Sequence, residues 1–342
     1  MLTAKGAKYF IKQAVKLLWI VFLIFSIPAV VVWLPLLLIA IISAKFFRPS
    51  LGPIAQGTCL AFMTGPPQKD STNLLHILVL DDGMSVTEFR TLFHDRVIQK
   101  KGPTGELAFP HFRNTWEEFM FHTFWKPESN YSTGRHIRDY DLEGEFKLPS
   151  PCSMEDVQKI LGSLVDKPWP DDFSPWEILL IKNFKTAQDD LRSTTALIFR
   201  HSHGLIDGYG LVSVIKELSG SKYDLPLPNF PEAPVHERIL SAMKVPYYLG
   251  PDSLDAPHDT HWMARKSGSP QLIASMTELI SVQRIKEIKN KLAVSYATVL
   301  FTAAGGALER IFAEEKLTVP DAIDAWTASP LPNHPGGTVN HA

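Results

Sequence analysis

The chain has 342 residues, with 34 Lys or Arg against 36 Asp or Glu, a formal charge of −2, 45% hydrophobic residues and 20% charged residues. That length is one large or two medium domains, with a core that needs neither metal nor disulfide. The composition excludes disorder, collagen and coiled coil as the overall class, and the charge excludes a broadly basic nucleic-acid binder. Two cysteines, Cys59 and Cys152, are too few for a disulfide framework or a cysteine-based zinc site.

The average charge hides an asymmetry. Residues 1–48 carry Lys5, Lys8, Lys12, Lys16, Lys45 and Arg48 and no acidic residue, so the remainder is acidic. From Leu17 to Ala44 no residue is charged over 28 positions. That exceeds the roughly 20 residues needed to cross a hydrocarbon core, and it is longer than the apolar region of a cleaved signal. The run reads as a membrane anchor. Pro28 and Pro35 lie inside it and each removes a helix hydrogen bond. Two shapes fit: a single kinked span, or a hairpin that returns to the same side. Basic residues around the run favour a cytosolic N-terminus; a single span then places the body outside the cytosol, whereas a hairpin leaves both flanks cytosolic, which matches positive charge on both sides. Trp19, Trp33, Phe46 and Phe47 are candidate interfacial anchors.

Residues 48–73 are punctuated by Pro and Gly and read as irregular. Leu74–Leu80 reads as a strand. Ser85–Glu88 is a capping box ahead of Phe89, Leu92, Phe93 and Val97 at helical spacing, and Ser153–Asp156 is a weaker cap ahead of Val157, Ile160, Leu161 and Leu164. Trp176–Ile181 and Thr194–Arg200 read as strands joined by the polar stretch 182–193. Leu211, Val214, Ile215 and Leu218 mark a helix. Residues 223–234 are proline-rich, and Ser281–Leu292 and Thr298–Glu315 read as helices. Strands and helices mix, so the class is α/β or α+β with mixed sheets.

Between the second of those strands and the helix after it lies His201-Ser202-His203-Gly204-Leu205-Ile206-Asp207-Gly208. Strand-to-helix junctions often display reactive side chains. An imidazole takes a proton from an alcohol near neutral pH, which makes His203 a candidate general base; a buried structural histidine is the competing reading. Asp207 is expected to hold the local geometry, bonding the histidine region or an arginine elsewhere. Gly208 is expected to let the chain turn. His201 and His203, two apart on a strand, could face one side and bind a metal with Asp207, but no third histidine lies nearby, and His201 reads better as a packing residue. Cys152 reads as a small buried residue. Asn130-Tyr131-Ser132 is a glycosylation sequon that matters only if the body is lumenal.

The order of features carries a resemblance. Ser174-Pro175-Trp176-Glu177 opens a strand; a second strand leads into His203-x-x-x-Asp207-Gly208-Tyr209-Gly210; Val294–Leu300 and Gly306–Arg310 follow much later. Together these resemble the wax ester synthase/diacylglycerol acyltransferase family, whose hallmark is His-His-x-x-x-Asp-Gly. Tyr131–Arg138, with His136, is a weaker match. The resemblance runs from about residue 74 onward and is strongest over 174–220 and 281–312. It implies a fold like chloramphenicol acetyltransferase and the condensation domains, with two similar subdomains around a tunnel. It implies that His203 is the general base, Asp207 a structural support and Gly208 the turn glycine, with no metal and no covalent acyl-enzyme. Ser202 stands where the family has its first histidine, and Tyr296-Ala297 where it usually has Asn-Asp. His201 and Ser202 are expected to support the site from behind.

The resemblance implies four segments: a membrane anchor with basic flanks over 1–48, an acyltransferase-like subdomain carrying the motif over 49–222, a proline-rich crossover over 223–270, and an incomplete second subdomain over 271–342 that reads as truncated. The expected activity is transfer of an acyl group from acyl-CoA, a co-substrate rather than a cofactor, to diacylglycerol or a long-chain alcohol. The alternative is an inactive protein of the same fold that binds lipid or acyl-CoA. Expected partners are acyl-CoA, the acceptor alcohol and the bilayer, and no nucleic acid. The expected location is the endoplasmic reticulum or plasma membrane, with a cytosolic active site.

Overall fold

A computed structural model describes residues 4–63, 65–69, 72–80, 83–102, 105–185, 194–222, 233–241, 243–244, 274–277, 280–320, 330, 334 and 336–340. These fall into two compact units, one of residues 1–274 with 329–342 and one of 275–328. The architecture is mixed α/β.

The first unit begins with helix α1 (Ala4–Phe47), which runs through Pro28 and Pro35 without a break. The hairpin shape is therefore not formed. Each proline deletes one backbone hydrogen bond, whereas reversing the chain inside the run would break several. Within α1, Pro28–Phe47 is long and apolar enough to cross a membrane.

A five-stranded sheet forms the body. Strand β1 (Asn73–Leu80) pairs antiparallel with a strand numbered β7 (Thr194–Ser202). Strand β6 (Trp176–Lys185) lies antiparallel on the other side of β7, and the short strands β4 (Ile137–Asp139) and β5 (Cys152–Ser153) run parallel to β6. Every residue of β7 is buried, because both faces of the sheet are covered. That is why Trp176–Ile181 and Thr194–Arg200 read as continuous apolar runs rather than alternating ones. On one face Trp176, Ile178, Leu180, Leu197 and Phe199 meet Phe89, Phe93 and Phe112. On the other, Leu179, Ile181, Ala196 and Ile198 meet Val157, Ile160 and Leu164. Trp176 is fully buried and its indole N–H donates to the Phe112 carbonyl at 2.8 Å. Truncating such a side chain costs about 3–5 kcal/mol.

The covering helices start where their caps dictate. Helix α3 (Val86–Phe93) has the full Ser85/Glu88 capping box, and α5 (Met154–Val165) has an equivalent Ser153/Asp156 box. Charge is also buried at the sheet. Glu177 accepts from Arg200 at 2.8 Å and from Arg138 at 2.7 Å, and the Arg200 guanidinium stacks 3.6 Å from the Trp169 ring centre.

Several elements have no counterpart in the sequence reading. They include the short strands β4 and β5 and a helical turn, α4 (Thr133–His136). The segment after α1 contains a short helix, α2 (Cys59–Phe62), and residues 114–127 form an antiparallel hairpin of β2 (Asn114–Phe119) and β3 (His122–Pro127). The connection after α1 is stitched to β3 by backbone bonds from Gly52 to Trp125, Ala55 to Thr123 and Trp125 to Pro53.

The second unit holds two helices, Val282–Leu292 and Tyr296–Glu314, capped by Ser281 and Ser295. Most of the proline-rich crossover, and Asn333 and Pro335, lie outside the described residues.

Candidate active site

Strand β7 ends at Ser202, whose N–H donates to Pro175 and whose Oγ accepts from the Gly204 N–H at 3.0 Å. That bond closes the turn on which His203 sits. Ser202 is fully buried, so its side chain serves the turn. The His203 N–H donates to Thr72, fastening the turn to the start of β1. The half-buried His203 ring stacks on Phe62 of α2, with centroids 3.8 Å apart and planes 11° apart.

The decisive contact is to Asn340. His203 Nδ1 lies 2.8 Å from Asn340 Oδ1, and Asn340 Nδ2 donates to the carbonyls of His203 at 2.7 Å and Gly204 at 3.3 Å. With its amide nitrogen committed to two carbonyls, Asn340 can only accept through Oδ1. His203 must therefore carry its proton on Nδ1, which leaves Nε2 with the basic lone pair. Nε2 has no hydrogen-bond partner among the described residues. Asn340 is itself held by Thr58, whose hydroxyl donates to its carbonyl at 2.5 Å.

Asp207 starts helix α6 (Gly208–Ser219) as its N-cap; Oδ1 accepts from the Gly210 N–H at 2.9 Å. Oδ2 lies 2.8 Å from His334 Nε2, and both side chains are buried. His334 Nδ1 accepts from the Gly336 N–H at 2.9 Å, so the imidazole proton is on Nε2 and is donated to Asp207. This partner of Oδ2, among the described residues, is a histidine and not an arginine. The Asp207 N–H donates to the Val339 carbonyl at 3.2 Å. Residues 334 and 336–340 thus clasp the turn and helix start from outside, through Asp207 on one side and His203 on the other. His334 and Asn340 are the functional residues that the sequence reading did not single out.

Gly208 occupies the first turn of α6 with ordinary backbone angles, and a Cβ there would meet open space. The crowded glycine is Gly210, where a Cβ would lie 2.4 Å from the Gly337 carbonyl and 2.7 Å from Ile206 Cγ1. His201 does not share a ligand set with His203. Its Nδ1 donates to the Ser202 carbonyl at 2.9 Å, and its ring stacks on His76, with the Nε2 atoms 3.0 Å apart. Burial, then the neighbouring His76, pushes the His201 pKa down to about 3, so it is a neutral acceptor for the His76 N–H. His136 lies elsewhere, between the Trp176 carbonyl and the Glu128 carboxylate. Among the described residues no three His, Cys, Asp or Glu side chains converge where a metal could bind.

Two clefts flank the clasp. One, of about 470 Å³, is bordered by Ile54, Gln56, Cys59, His111, Trp125 and Asn340. The other, of about 640 Å³, is bordered by Lys101, Tyr209, Val212, Ser213, His334 and Gly336. Val339 borders both. His203 lines neither directly; its partner Asn340 walls the first.

No protein-family model and no curated protein sequence matches the chain. Among solved structures, the chain is similar to the wax ester synthase/diacylglycerol acyltransferase from Marinobacter aquaeolei VT8, at 14% identity and a TM-score of 0.47 over 78% of this chain and 61% of that one. It is also similar to the X-domain from teicoplanin biosynthesis, at 14% identity and a TM-score of 0.34 over 50% of this chain and 32% of that one. A third similarity is to the enacyloxin polyketide synthase structure of condensation domain-mediated chain release, at 15% identity and a TM-score of 0.32 over 58% and 35%. The chain therefore spans less than two thirds of the length of each of these.

Proposed function

We propose that this chain carries the general-base half of a membrane-anchored O-acyltransferase, which moves an acyl group from acyl-CoA to diacylglycerol or a long-chain alcohol. One observation carries the reading: Asn340 fixes the His203 proton on Nδ1, so Nε2 is the nitrogen left to act as a base. The motif order around His203 and Asp207 agrees with it.

In this mechanism His203 Nε2 takes the proton of the acceptor hydroxyl as its oxygen attacks the thioester carbonyl. The imidazolium so formed keeps its Nδ1–H on Asn340. Collapse of the tetrahedral intermediate breaks the carbon–sulfur bond, and the CoA thiolate takes the proton back from Nε2, releasing ester and free CoA. Asp207 has one oxygen on a helix N-terminus and the other on His334, so it is a positioning residue. Helix α1 tethers the body to the bilayer that dissolves the acceptor.

The test is product formation from labelled acyl-CoA and diacylglycerol or a fatty alcohol, using the full chain in its longest native form. His203→Ala is expected to lower turnover by at least ~100-fold, the scale of general-base catalysis. Equal product from both proteins refutes the base. Acyl-CoA binding without turnover by the wild type supports a lipid or acyl-CoA binder instead.

A further inference from the structure

The tip of the β2–β3 hairpin consists of Met120 and Phe121, enclosed by the last ladder pair, Phe119 with His122. Both tip residues have left-handed backbone angles, φ 50° and 62°. A two-residue turn of this kind favours Asn-Gly, and a bulky residue there is conformationally unfavourable. Here it carries a methionine and a phenylalanine, and Phe121 is fully exposed at 105%.

The hairpin does not point into water at random. On α1, Trp33, Leu37, Ala40 and Ala44, with Arg48 just past its end, recur at spacings that put them on one face. Ala40 and Ala44 are buried, at 0% and 4%. At one end of this face the Trp33 ring lies 6.0 Å from His122, beside the hairpin tip. At the other end Arg48 pairs with Glu117, nearer the hairpin base. The hairpin therefore lies along α1 from its foot to Trp33, fifteen residues or roughly 22 Å of helix. The remaining faces of that stretch, including Leu36, Leu38, Ile39, Ile42 and Phe46, are exposed.

We propose that the β2–β3 hairpin is a second lipid-contacting element, with Met120 and Phe121 entering the acyl-chain region of the bilayer beside α1. The proposal rests on α1 being the membrane anchor and is independent of the chemistry at His203. If lipid surrounds α1 at Trp33, it also meets a tip packed at that height. The occupant is phospholipid, because the apolar tip side chains Met120 and Phe121 continue the apolar surface of the helix; Lys126 lies at the hairpin base, Glu117 is neutralised by Arg48, and the exposed Glu118, opposite Thr123, marks how deep the tip can enter. Docking here would hold β3, and with it Trp125 at the wall of the smaller cleft, at the membrane surface.

The experiment uses the full chain reconstituted in phosphatidylcholine vesicles. An environment-sensitive fluorophore is attached in turn to Phe121→Cys, to Phe25→Cys on α1, and to Lys147→Cys on an exposed loop. The wild-type chain, whose cysteines are both buried, is the labelling blank. The expected result is several-fold quenching of the residue 121 and 25 probes by nitroxide-labelled lipid, with the residue 147 probe quenched by aqueous iodide instead. A residue 25 probe quenched by lipid beside a residue 121 probe quenched by iodide overturns the proposal and leaves the anchor standing. All three probes quenched by iodide overturn both.

Discussion

Replacing Asp207 by Asn tests whether the carboxylate is there to be charged or merely to accept hydrogen bonds. In the native site Oδ1 accepts from Gly210 and Oδ2 accepts from His334. Asparagine keeps one acceptor and turns the other into a donor. With the amide nitrogen in the Oδ2 position, it faces the His334 Nε2–H. Moving that proton to Nδ1 only transfers the clash to the Gly336 N–H, which already donates there. Flipping the amide instead sets its nitrogen against the Gly210 N–H. Every arrangement leaves two donors facing each other in a buried site. A lost charge-assisted bond and a stranded buried donor together amount to about 3–5 kcal/mol. Denaturant unfolding of the detergent-solubilised full chain, followed by far-ultraviolet circular dichroism, measures this. His334→Leu removes the opposing donor, so the Asn substitution is expected to cost about 2 kcal/mol less in that background. A D207N protein within about 0.5 kcal/mol of wild type would refute the assigned hydrogen-bond directions.

Three further outcomes are expected. Asn340→Leu frees the His203 ring and removes its tautomer lock, and is expected to lower turnover about 10–100-fold, the usual scale for loss of an orienting partner; rescue by Asn340→Gln is expected to be partial, and an Asn340→Leu protein of unchanged turnover would contradict the positioning role. Gly210→Ala is expected to destabilise by about 1–3 kcal/mol through overpacking against Gly337 and Ile206, whereas Gly208→Ala, facing open space, is expected to be neutral or slightly stabilising in the same unfolding assay. Finally, burial holds the His111 pKa down at about 4, against 6.5 when unfolded. The unfolded chain then takes up a proton that the folded chain refuses, so this residue contributes no penalty above pH 6.5 and a growing one as pH falls toward 4. At pH 5 it amounts to about 2 kcal/mol. His111→Phe, which can keep the stack on Trp125, is expected to lose less thermal stability than wild type between pH 7 and pH 5.

The parts of the fold that could be read from the sequence are those whose physics is local. Ser85 with Glu88 and Ser153 with Asp156 sit within one helical turn of each other, and both boxes form. The apolar runs from Trp176 and Thr194 are long because both sheet faces are covered. The β2–β3 hairpin was invisible for two local reasons: its tip is Met-Phe rather than a turn-forming pair, and its strands bury adjacent residues such as Thr115-Trp116 instead of alternating ones. The unbroken α1 shows that each proline removes only one backbone bond and need not end a long helix. His203 and Asp207 were legible as a motif, but their partners were not. A polar pair, His334 and Asn340, flanking Gly336-Gly337 is the one trace of the clasp in the sequence, and nothing local connects it to a turn so far upstream.

His203 and Asn340 are 137 positions apart, and Asp207 and His334 are 127 apart. Closing loops of that length is slow relative to forming helices and hairpins. During synthesis α1 is made before the turn at His203, and both are made before residues 334 and 340. A nascent chain that has not reached residue 334 has its imidazole on the turn but not yet aimed. Assembly order alone therefore leaves the His203 ring unfixed until the clasp closes.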